Sequence, residues 1–114
     1  AGWAAAPPPG RGVVGRVGLD PACGGALQTC RPAGVISTDT ADALLNRVQV
    51  VPISSQVARL YPAEAHVALN GERRKAMADP ITTASKKRLV RRLGALSPGD
   101  LDAVAQAIRI QLGM

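Results

Sequence analysis

The chain has 114 residues, which is enough for one compact domain and too few for two domains with separate hydrophobic cores. Its formal net charge of +6 and its pI near 10.4 favour a polyanionic partner, because clustered Lys and Arg side chains displace counterions from phosphates. Aromatic residues make up only 2% of the chain, which argues against a protein that stacks each base of a single strand on a ring. Nucleic acid, contacted through charge and hydrogen bonds, is therefore the expected class of partner.

The cysteines and the amino-terminal segment bear on compartment and metal binding. Cys23 and Cys30 lie in a Gly-rich stretch without the Cys or Cys/His pairs that a structural zinc site needs, so we expect unpaired thiols, with a disulfide closing the loop as the alternative. Residues 1–10 contain alanines and three consecutive prolines but no basic start, which predicts a flexible leader before a single domain at residues 11–114. No apolar run approaches membrane-spanning length, so we predict a cytoplasmic protein with no membrane partner.

The first third of the chain predicts two strands joined by a loop. Valines among glycines from Arg11 to Leu19 favour a strand, and the Gly- and Pro-containing segment from Asp20 to Arg31 is typical of a loop. The segment Ala33–Ser37 predicts a second strand. Such loops often carry functional residues, because the strands on either side hold them in place.

A short helix and the clearest strand follow. Thr38 or Asp39 can cap a helix that Asn46 would end. The β-branched residues of Arg47–Ile53 predict a strand, and Ser54–Gln56 predicts the turn that closes it.

The centre of the chain predicts a hairpin. Residues Glu64–Leu69 alternate strictly, so that Ala65, Val67 and Leu69 should be buried on one face of a strand. Asn70-Gly71 is a strong hairpin turn signal, and we expect a partner strand to run through Met77 toward Thr83.

The last third predicts a turn of helix, a strand and a longer helix. The turn is expected at Ser85–Arg88 and the strand at Arg91–Leu96. Ser97-Pro98 is a strong helix start, with a capping hydroxyl and proline at the first helical position, and the helix should run to about Leu112. Its predicted apolar stripe, which would form core or dimer contacts, is Leu101, Val104, Ala105, Ile108 and Leu112. Together these elements predict a mainly β fold with added helices (α+β), an SH3-like small barrel of mostly antiparallel strands closed by a C-terminal helix.

Several motifs resemble those of the MazF/PemK family of toxins. Its members have a strand ending in Pro-(Ile/Leu)-(Thr/Ser)-Ser, a Tyr-Pro element, an Ala-Asp-Gln strand and a helix capped by Leu-Ser-Pro. Similar residues stand here at 52–55, 61–62, 78–80 and 96–98. The first half is similar to the family's opening strand, its Asp-Pro-x-x-Gly loop and the Arg-Pro strand after it, through Asp20, Pro21, Gly24, Gly25, Arg31 and Pro32.

This resemblance implies an endoribonuclease that needs no metal or other cofactor. The ribose 2′-hydroxyl would attack the adjacent phosphate of single-stranded RNA, leaving a 2′,3′-cyclic phosphate and a 5′-hydroxyl, so RNA is required over DNA. Arg31 would hold the phosphate oxygens, and Ser54 occupies the position of the family's hydroxyl partner. The residues that we expect to bind RNA are Gly24, Gly25, Ser55, Gln56, Arg59, Arg73, Arg74, Lys86 and Lys87.

The implied partners are mRNA, with tRNA and rRNA as further candidate substrates, a cognate MazE-like antitoxin and a second copy of the chain. The basic cluster of residues 73–75, 86–88, 91 and 92 fits an RNA groove, a seat for an acidic antitoxin segment or a solvated face equally well. Base preference is expected to depend on the segment from Ser55 to Tyr61.

Other interpretations of these residues remain open. An Arg before a Pro is commonly a solvated charge, and Ser54 alone would be a turn hydroxyl bonded to its own backbone. We expect His66 to be solvated rather than to act as a general base. The chain also departs from the family pattern at Val13, Gly15, Arg16, Gly18, Ala26 and Pro80. A catalytically impaired protein that only binds antitoxin or RNA, and a plain basic nucleic-acid-binding domain, are therefore the alternatives.

Overall fold

The computed structural model describes residues 10–18 and 30–114. The predicted leader lies outside these residues except for Gly10, and so does most of the predicted loop, including Cys23, Gly24, Gly25 and Ala26. The strands of the described part are β1 (Val13–Val17), β2 (Arg31–Val35), β3 (Arg47–Ser54), β4 (Glu64–Leu69), β5 (Glu72–Met77), β6 (Thr82–Ser85) and β7 (Leu89–Ala95). The helices are α1 (Asp39–Leu44) and α2 (Pro98–Leu112), with a 3₁₀ turn at Lys86–Arg88.

The strands form one curled antiparallel sheet in the order β4-β5-β3-β2-β1-β7. The long strand β3 is central, because it pairs with β2 on one side and with both β5 and β6 on the other. The C-terminal helix α2 packs against β4 and β5. The predicted fold class, a small antiparallel barrel-like sheet with a C-terminal helix, is confirmed.

The turn between β4 and β5 holds two distant parts of the sheet together. Asn70 and Gly71 both have positive φ angles, 53° and 81°, as a tight hairpin turn requires. The Asn70 side-chain amide then donates a 3.0 Å hydrogen bond to the carbonyl of Leu93 in β7. Gly94 follows, and a Cβ atom there would lie 3.0 Å from Asn70 Oδ1 and 3.2 Å from Leu69 Cδ1. The hairpin tip can therefore approach β7 this closely because residue 94 has no side chain.

The interior is built from valine and alanine rather than from aromatic rings. One cluster lies beneath α2 and includes Val14, Val67 and Val104. The other is formed by β1, β2, β3, β6 and β7 around Val35 and Val48. Both predicted faces of β4 are confirmed by its alternating burial.

The cap of α2 is confirmed, but its predicted apolar stripe is partly wrong. The Ser97 hydroxyl accepts a hydrogen bond from the amide of Asp100, and the Asp100 carboxylate accepts one from Ala68 in β4 at 2.9 Å. Ala107 is buried, whereas Leu112 is 54% exposed, and α2 packs on the sheet through Val104 and Ala107 rather than through its last turn.

Two strands begin earlier than predicted because pairing with β1 extends them. β2 begins at Arg31, two residues before the predicted start, since Arg31 lies opposite Val17 in β1. β7 begins at Leu89 for the same reason, because Leu89 also lies opposite Val17. The predicted strand from residue 72 toward Thr83 is instead two strands.

The break between β5 and β6 is a turn that contains Pro80. The amide of Ile81 donates to the carbonyl of Ala78 at 3.1 Å, so Pro80 lies inside the turn. Proline has no amide hydrogen and would interrupt a strand ladder, but at this position no ladder bond is lost.

The prediction of an unpaired thiol is wrong for Cys30, which is disulfide-bonded. A short Gly-rich loop can bring two cysteine Cα atoms to the separation of about 4.4 to 6.8 Å that a disulfide needs. Its partner lies outside the described residues.

In the part of the chain that the structure describes, no helix has both the length and the apolar character needed to cross a bilayer.

The helix α1 carries a buried carboxylate, that of Asp42. Asp42 is fully buried and accepts a hydrogen bond from the Ser37 hydroxyl, while its second oxygen, Oδ2, has no partner among the described residues. The pKa of Asp42 is raised, mainly because the carboxylate is buried. The hydrogen bond from Ser37 lowers this pKa, the negative charge of Asp39 raises it, and the positive charge of Lys86 lowers it, but the net shift is upward.

Gly94→Ala should lower the free energy of unfolding by about 1 to 2 kcal/mol, because the new methyl group would collide with Leu69 and Asn70. Urea denaturation measures this change. Gly99→Ala, at the start of α2 with no heavy atom within 4 Å of its Cβ position, is the matched control and should be neutral or slightly stabilising. Equal effects of the two substitutions would contradict this account of how the sheet closes.

Asp42→Asn should change the pH dependence of stability. A raised pKa means that the folded state binds the proton more tightly than the unfolded state, so this group's contribution is present at low pH and is lost as pH rises through the folded pKa. Relative to Asp42→Asn, the wild type should gain stability as pH falls from 7 toward 4, by at most about 1.4 kcal/mol per pH unit.

Urea denaturation across this pH range tests the prediction. Asp102→Asn, on the exposed face of α2, is the control and should show no such trend. A wild type that loses stability relative to Asp42→Asn on acidification would refute it.

Candidate active site

A cavity of about 530 Å³ opens at the end of the sheet where β2 begins and β3 ends. Pro32, Pro52, Leu69 and Leu93 contribute apolar wall. The polar part of the wall consists of Arg16, Arg31, Ser54, Ser55, Gln56, Asn70, Glu72 and Arg74. The predicted catalytic pair, Arg31 and Ser54, therefore lines one cavity.

Strand register explains why these two residues meet. β2 and β3 are antiparallel, and Ala33 lies opposite Pro52. Arg31 stands two residues before Ala33 and Ser54 two residues after Pro52, so both leave the same face of the sheet at the same end. The sequence separates the two residues by a loop, a helix and two strands, and the pairing brings them back to one cavity.

Arg31 presents an exposed positive charge to this cavity. Within residues 10–18 and 30–114, no carboxylate or carbonyl pairs with its guanidinium. The next peptide upstream is fixed, because the Arg16 guanidinium donates a 3.1 Å hydrogen bond to the carbonyl of Cys30. An exposed guanidinium on an anchored strand can bind two oxygens of a phosphate at once.

Ser54 combines a structural bond with a free donor. Its hydroxyl oxygen accepts a 3.0 Å hydrogen bond from the amide of Gln56, as expected for a turn hydroxyl. A hydroxyl that accepts in this way keeps its own hydrogen to donate. Ser54 can therefore form the turn bond with Gln56 and donate a hydrogen bond to a ligand at the same time.

Two further arginines line the cavity. Arg74 forms a 2.6 Å ion pair with Glu72, which also lines it. Arg16 stands at a position where the family pattern differs, and it adds positive charge beside Arg31. Three arginines against one glutamate make the described wall net positive, which suits a polyanionic backbone.

The segment between β3 and β4 forms one edge of the site. Its first residues, Ser55 and Gln56, for which the sequence predicts RNA binding, line the cavity. Arg59 does not line it, and its guanidinium donates to the Tyr61 hydroxyl at 3.2 Å. Directly after the segment, the first residue of β4, Glu64, forms a buried 2.9 Å ion pair with Lys75. Burial tends to raise the pKa of Glu64. The hydrogen bond from the Tyr61 amide and the hydrogen bond and charge of Lys75 together lower it by more, so the net shift is downward.

The other predicted RNA-binding residues are dispersed. Arg73 lies 2.8 Å from Nδ1 of His66 and outside the cavity wall, and Arg must be the donor because it carries no acceptor. His66 is half-buried, and its Nε2 is buried without a described partner, so the expectation of a solvated histidine is wrong. The reason is cross-strand packing beside Lys75, which lies opposite His66 in the β4–β5 ladder.

The two predicted lysines also lie outside the cavity wall. The Lys86 ammonium donates to the carbonyl of Asp42 and so connects the 3₁₀ turn to α1, while Lys87 is exposed. Gly24 and Gly25 lie outside the described residues.

Arg16, Asn70 and Glu72 also line the cavity, although the sequence does not predict this. The sequence indicates only a turn at Asn70 and a departure from the family pattern at Arg16. Each reaches the cavity through sheet closure, which no local pattern reveals. Among the described residues, no group of three or more His, Cys, Asp or Glu side chains is placed to hold a metal ion.

Comparison with known proteins identifies the family. The family model described as PemK-like, MazF-like toxin of type II toxin–antitoxin system matches residues 10–112. The endoribonuclease MazF9 of Mycobacterium tuberculosis is 32% identical over 113 residues, covering 91% of this chain and 96% of that protein.

Solved structures share the fold. An endoribonuclease from a mycobacterial species has a TM-score of 0.79 at 22% identity, covering 95% of this chain and 94% of that chain. A mycobacterial endoribonuclease in complex with its cognate antitoxin has a TM-score of 0.78 at 23% identity, covering 93% of this chain and 96% of that chain. The chain therefore belongs to the family of PemK-like, MazF-like toxins of type II toxin–antitoxin systems.

Proposed function

We propose that this toxin is a metal-independent, sequence-selective endoribonuclease that cuts single-stranded RNA at the Arg31–Ser54 cavity. The 2′-oxygen attacks the adjacent phosphorus and loses its proton, while the bond from phosphorus to the 5′-oxygen breaks and that oxygen gains a proton. The products are a 2′,3′-cyclic phosphate and a 5′-hydroxyl. The observation that carries the proposal is that an exposed arginine and a free hydroxyl donor line the same basic cavity.

Arg31 would stabilise the transition state electrostatically. Negative charge grows on the nonbridging phosphate oxygens during attack, and a fixed cation placed there gives the largest stabilisation available without a metal. The anchoring of Cys30 by Arg16 limits the movement of the strand that carries Arg31. Little reorganisation would then be needed when substrate binds.

Ser54 would donate its hydroxyl hydrogen to the same phosphate group. The Gln56 amide already occupies one lone pair of the oxygen, which orients the hydroxyl. Arg16 and Arg74, on the same wall, would bind neighbouring phosphates, and Ser55 and Gln56 would contact the bases beside the cut. Selectivity for RNA follows from the chemistry, since DNA lacks the attacking hydroxyl.

The natural inhibitor in this proposal is a MazE-like antitoxin. A related mycobacterial endoribonuclease has been solved with its cognate antitoxin, and an acidic segment would complement the arginines of the cavity. We also propose a homodimer, because a domain this small gains burial by pairing, and the last turn of α2 leaves Ile110 and Leu112 half-exposed.

Arg31→Ala should reduce cleavage of a long unstructured RNA by about 100-fold or more, because the main cation at the phosphate is lost. Arg31→Lys should recover only part of the rate, since Lys cannot bind two oxygens in one plane. Ser54→Ala should lose about tenfold or more, because one donor is removed. Cleavage in chelator, with ends mapped by primer extension and tested for 5′-hydroxyls, measures all three.

Arg109→Ala, on the exposed face of α2, is the control and should cut like the wild type. Growth arrest on induced expression should follow the cleavage rates. An Arg31→Ala protein that cuts at the wild-type rate would disprove the proposed site. Tight binding of RNA or antitoxin by the wild type without cyclic-phosphate ends would identify the impaired alternative.

A further inference from the structure

One lysine is buried beside β3, the strand that ends at Ser54. Lys75, in β5, is only 6% exposed, and it lies directly opposite Ser54 in the ladder between β3 and β5. Burying an ammonium group is unfavourable unless charge and hydrogen bonds compensate it. Here Glu64 supplies the opposite charge at 2.9 Å, and its own side chain is 12% exposed.

The remaining bonds of this pair all go to the segment of residues 55–63, which joins β3 to β4. Lys75 Nζ donates to the backbone carbonyl of Arg59 at 2.9 Å, and Glu64 Oε1 accepts from the backbone amide of Tyr61 at 2.9 Å. Lys75 Nζ also lies 5.5 Å from the centre of the Tyr61 ring. The ion pair therefore holds the backbone on both sides of Leu60.

This anchoring orders the outward-facing side chains of the segment. The Arg59 guanidinium lies 5.9 Å from the centre of the Tyr61 ring and donates to its hydroxyl. Tyr61 is 52% exposed and Leu60 is 45% exposed. A guanidinium, a ring and an aliphatic side chain are thus presented to solvent in a fixed arrangement next to Ser55 and Gln56, which line the cavity.

We propose that the Lys75–Glu64 pair is a positioning element that fixes the 55–63 segment and thereby sets which bases are accepted beside the cut. This inference rests on the proposed endoribonuclease function. Neither residue touches the substrate, and both act through the shape of the segment. A pair with only a structural role would change stability without changing the choice of cleavage site.

The first test measures how readily the segment opens, and it does not require the protein to cut RNA. Arg59 is the only Lys or Arg between Ser54 and Glu64, and the carbonyl of its cleavable bond to Leu60 is the one that Lys75 holds. Lys75→Met keeps most of the side-chain length and removes the charge. Trypsin should then cut after Arg59 about tenfold faster or more, because a charge-assisted bond no longer opposes local opening. Mass spectrometry identifies the fragment.

Arg109→Met is the matched control for loss of a cation and should leave the rate of cleavage after Arg59 unchanged. Glu64→Gln, which removes the opposite charge while keeping the shape, should act in the same direction as Lys75→Met and serves in its place if that variant does not fold. Unchanged cleavage after Arg59 in a folded Lys75→Met or Glu64→Gln protein would overturn the inference.

The second test reads specificity on a pool of randomised single-stranded RNA. We expect Lys75→Met to lose about fivefold or more of the wild-type preference between sites, with KM for the preferred site raised and kcat within about twofold, because Arg31 and Ser54 remain in place. An unchanged site preference in a variant whose segment has opened would overturn the inference while leaving the proposed function intact. A wild-type protein that cuts no RNA would instead refute the proposed function and, with it, the role of the pair in specificity. The trypsin experiment would still show whether Lys75 holds the segment.

Discussion

The antiparallel register between β2 and β3 is the constraint on which the site depends. Ala33 lies opposite Pro52, and this pairing places Arg31 and Ser54 at one end and on one face of the sheet. A slip of one residue would send one of the two side chains to the opposite face, because side chains alternate along a strand. Packing resists such a slip, since Ala33, Val35 and Val50 are fully buried in a small valine-rich cluster. The packing of the core therefore fixes the geometry of the cavity and the positions of its polar residues.

Two groups of charges at and beside the cavity have different surroundings. The arginines of the cavity wall lie where they could displace counterions from a phosphate backbone, and Arg31 has no partner among the described residues. Lys75 and Glu64, by contrast, are buried and paired, and their remaining bonds go to backbone atoms of the neighbouring segment. A buried pair contributes little net stability compared with an apolar pair of similar size, and the role that we propose for this pair is to select one conformation of the segment. Two neighbouring basic residues of β5 therefore have different surroundings: Arg74 lines the cavity, whereas Lys75 is buried and donates to the backbone of the 55–63 segment.

Local signals in the sequence predicted the local structure well. Thr38 and Ser97 cap their helices, and Asn70-Gly71 forms the expected turn, because each signal depends on residues only a few positions apart. The family motifs also identified Arg31 and Ser54, which the structure brings to one cavity. The start of β2 and the entry of Arg16 and Asn70 into the cavity wall could not be predicted, since they follow from pairing with strands far away in the chain. The bonding of Lys75 was hidden for the same reason: in the sequence it is one more residue of a basic run, and only the β4–β5 ladder reveals its burial.

The most direct measurement of the central claim is a crystal structure of the protein with a short RNA that carries a single 2′-deoxynucleotide at the cleavage position. Such an RNA lacks only the attacking hydroxyl, so it should bind without being cut. We expect the phosphate following the deoxynucleotide to lie in the cavity, with its nonbridging oxygens within hydrogen-bonding distance of both the Arg31 guanidinium and the Ser54 hydroxyl. A phosphate bound outside the cavity, with Arg31 and Ser54 making no contact to RNA, would contradict this expectation.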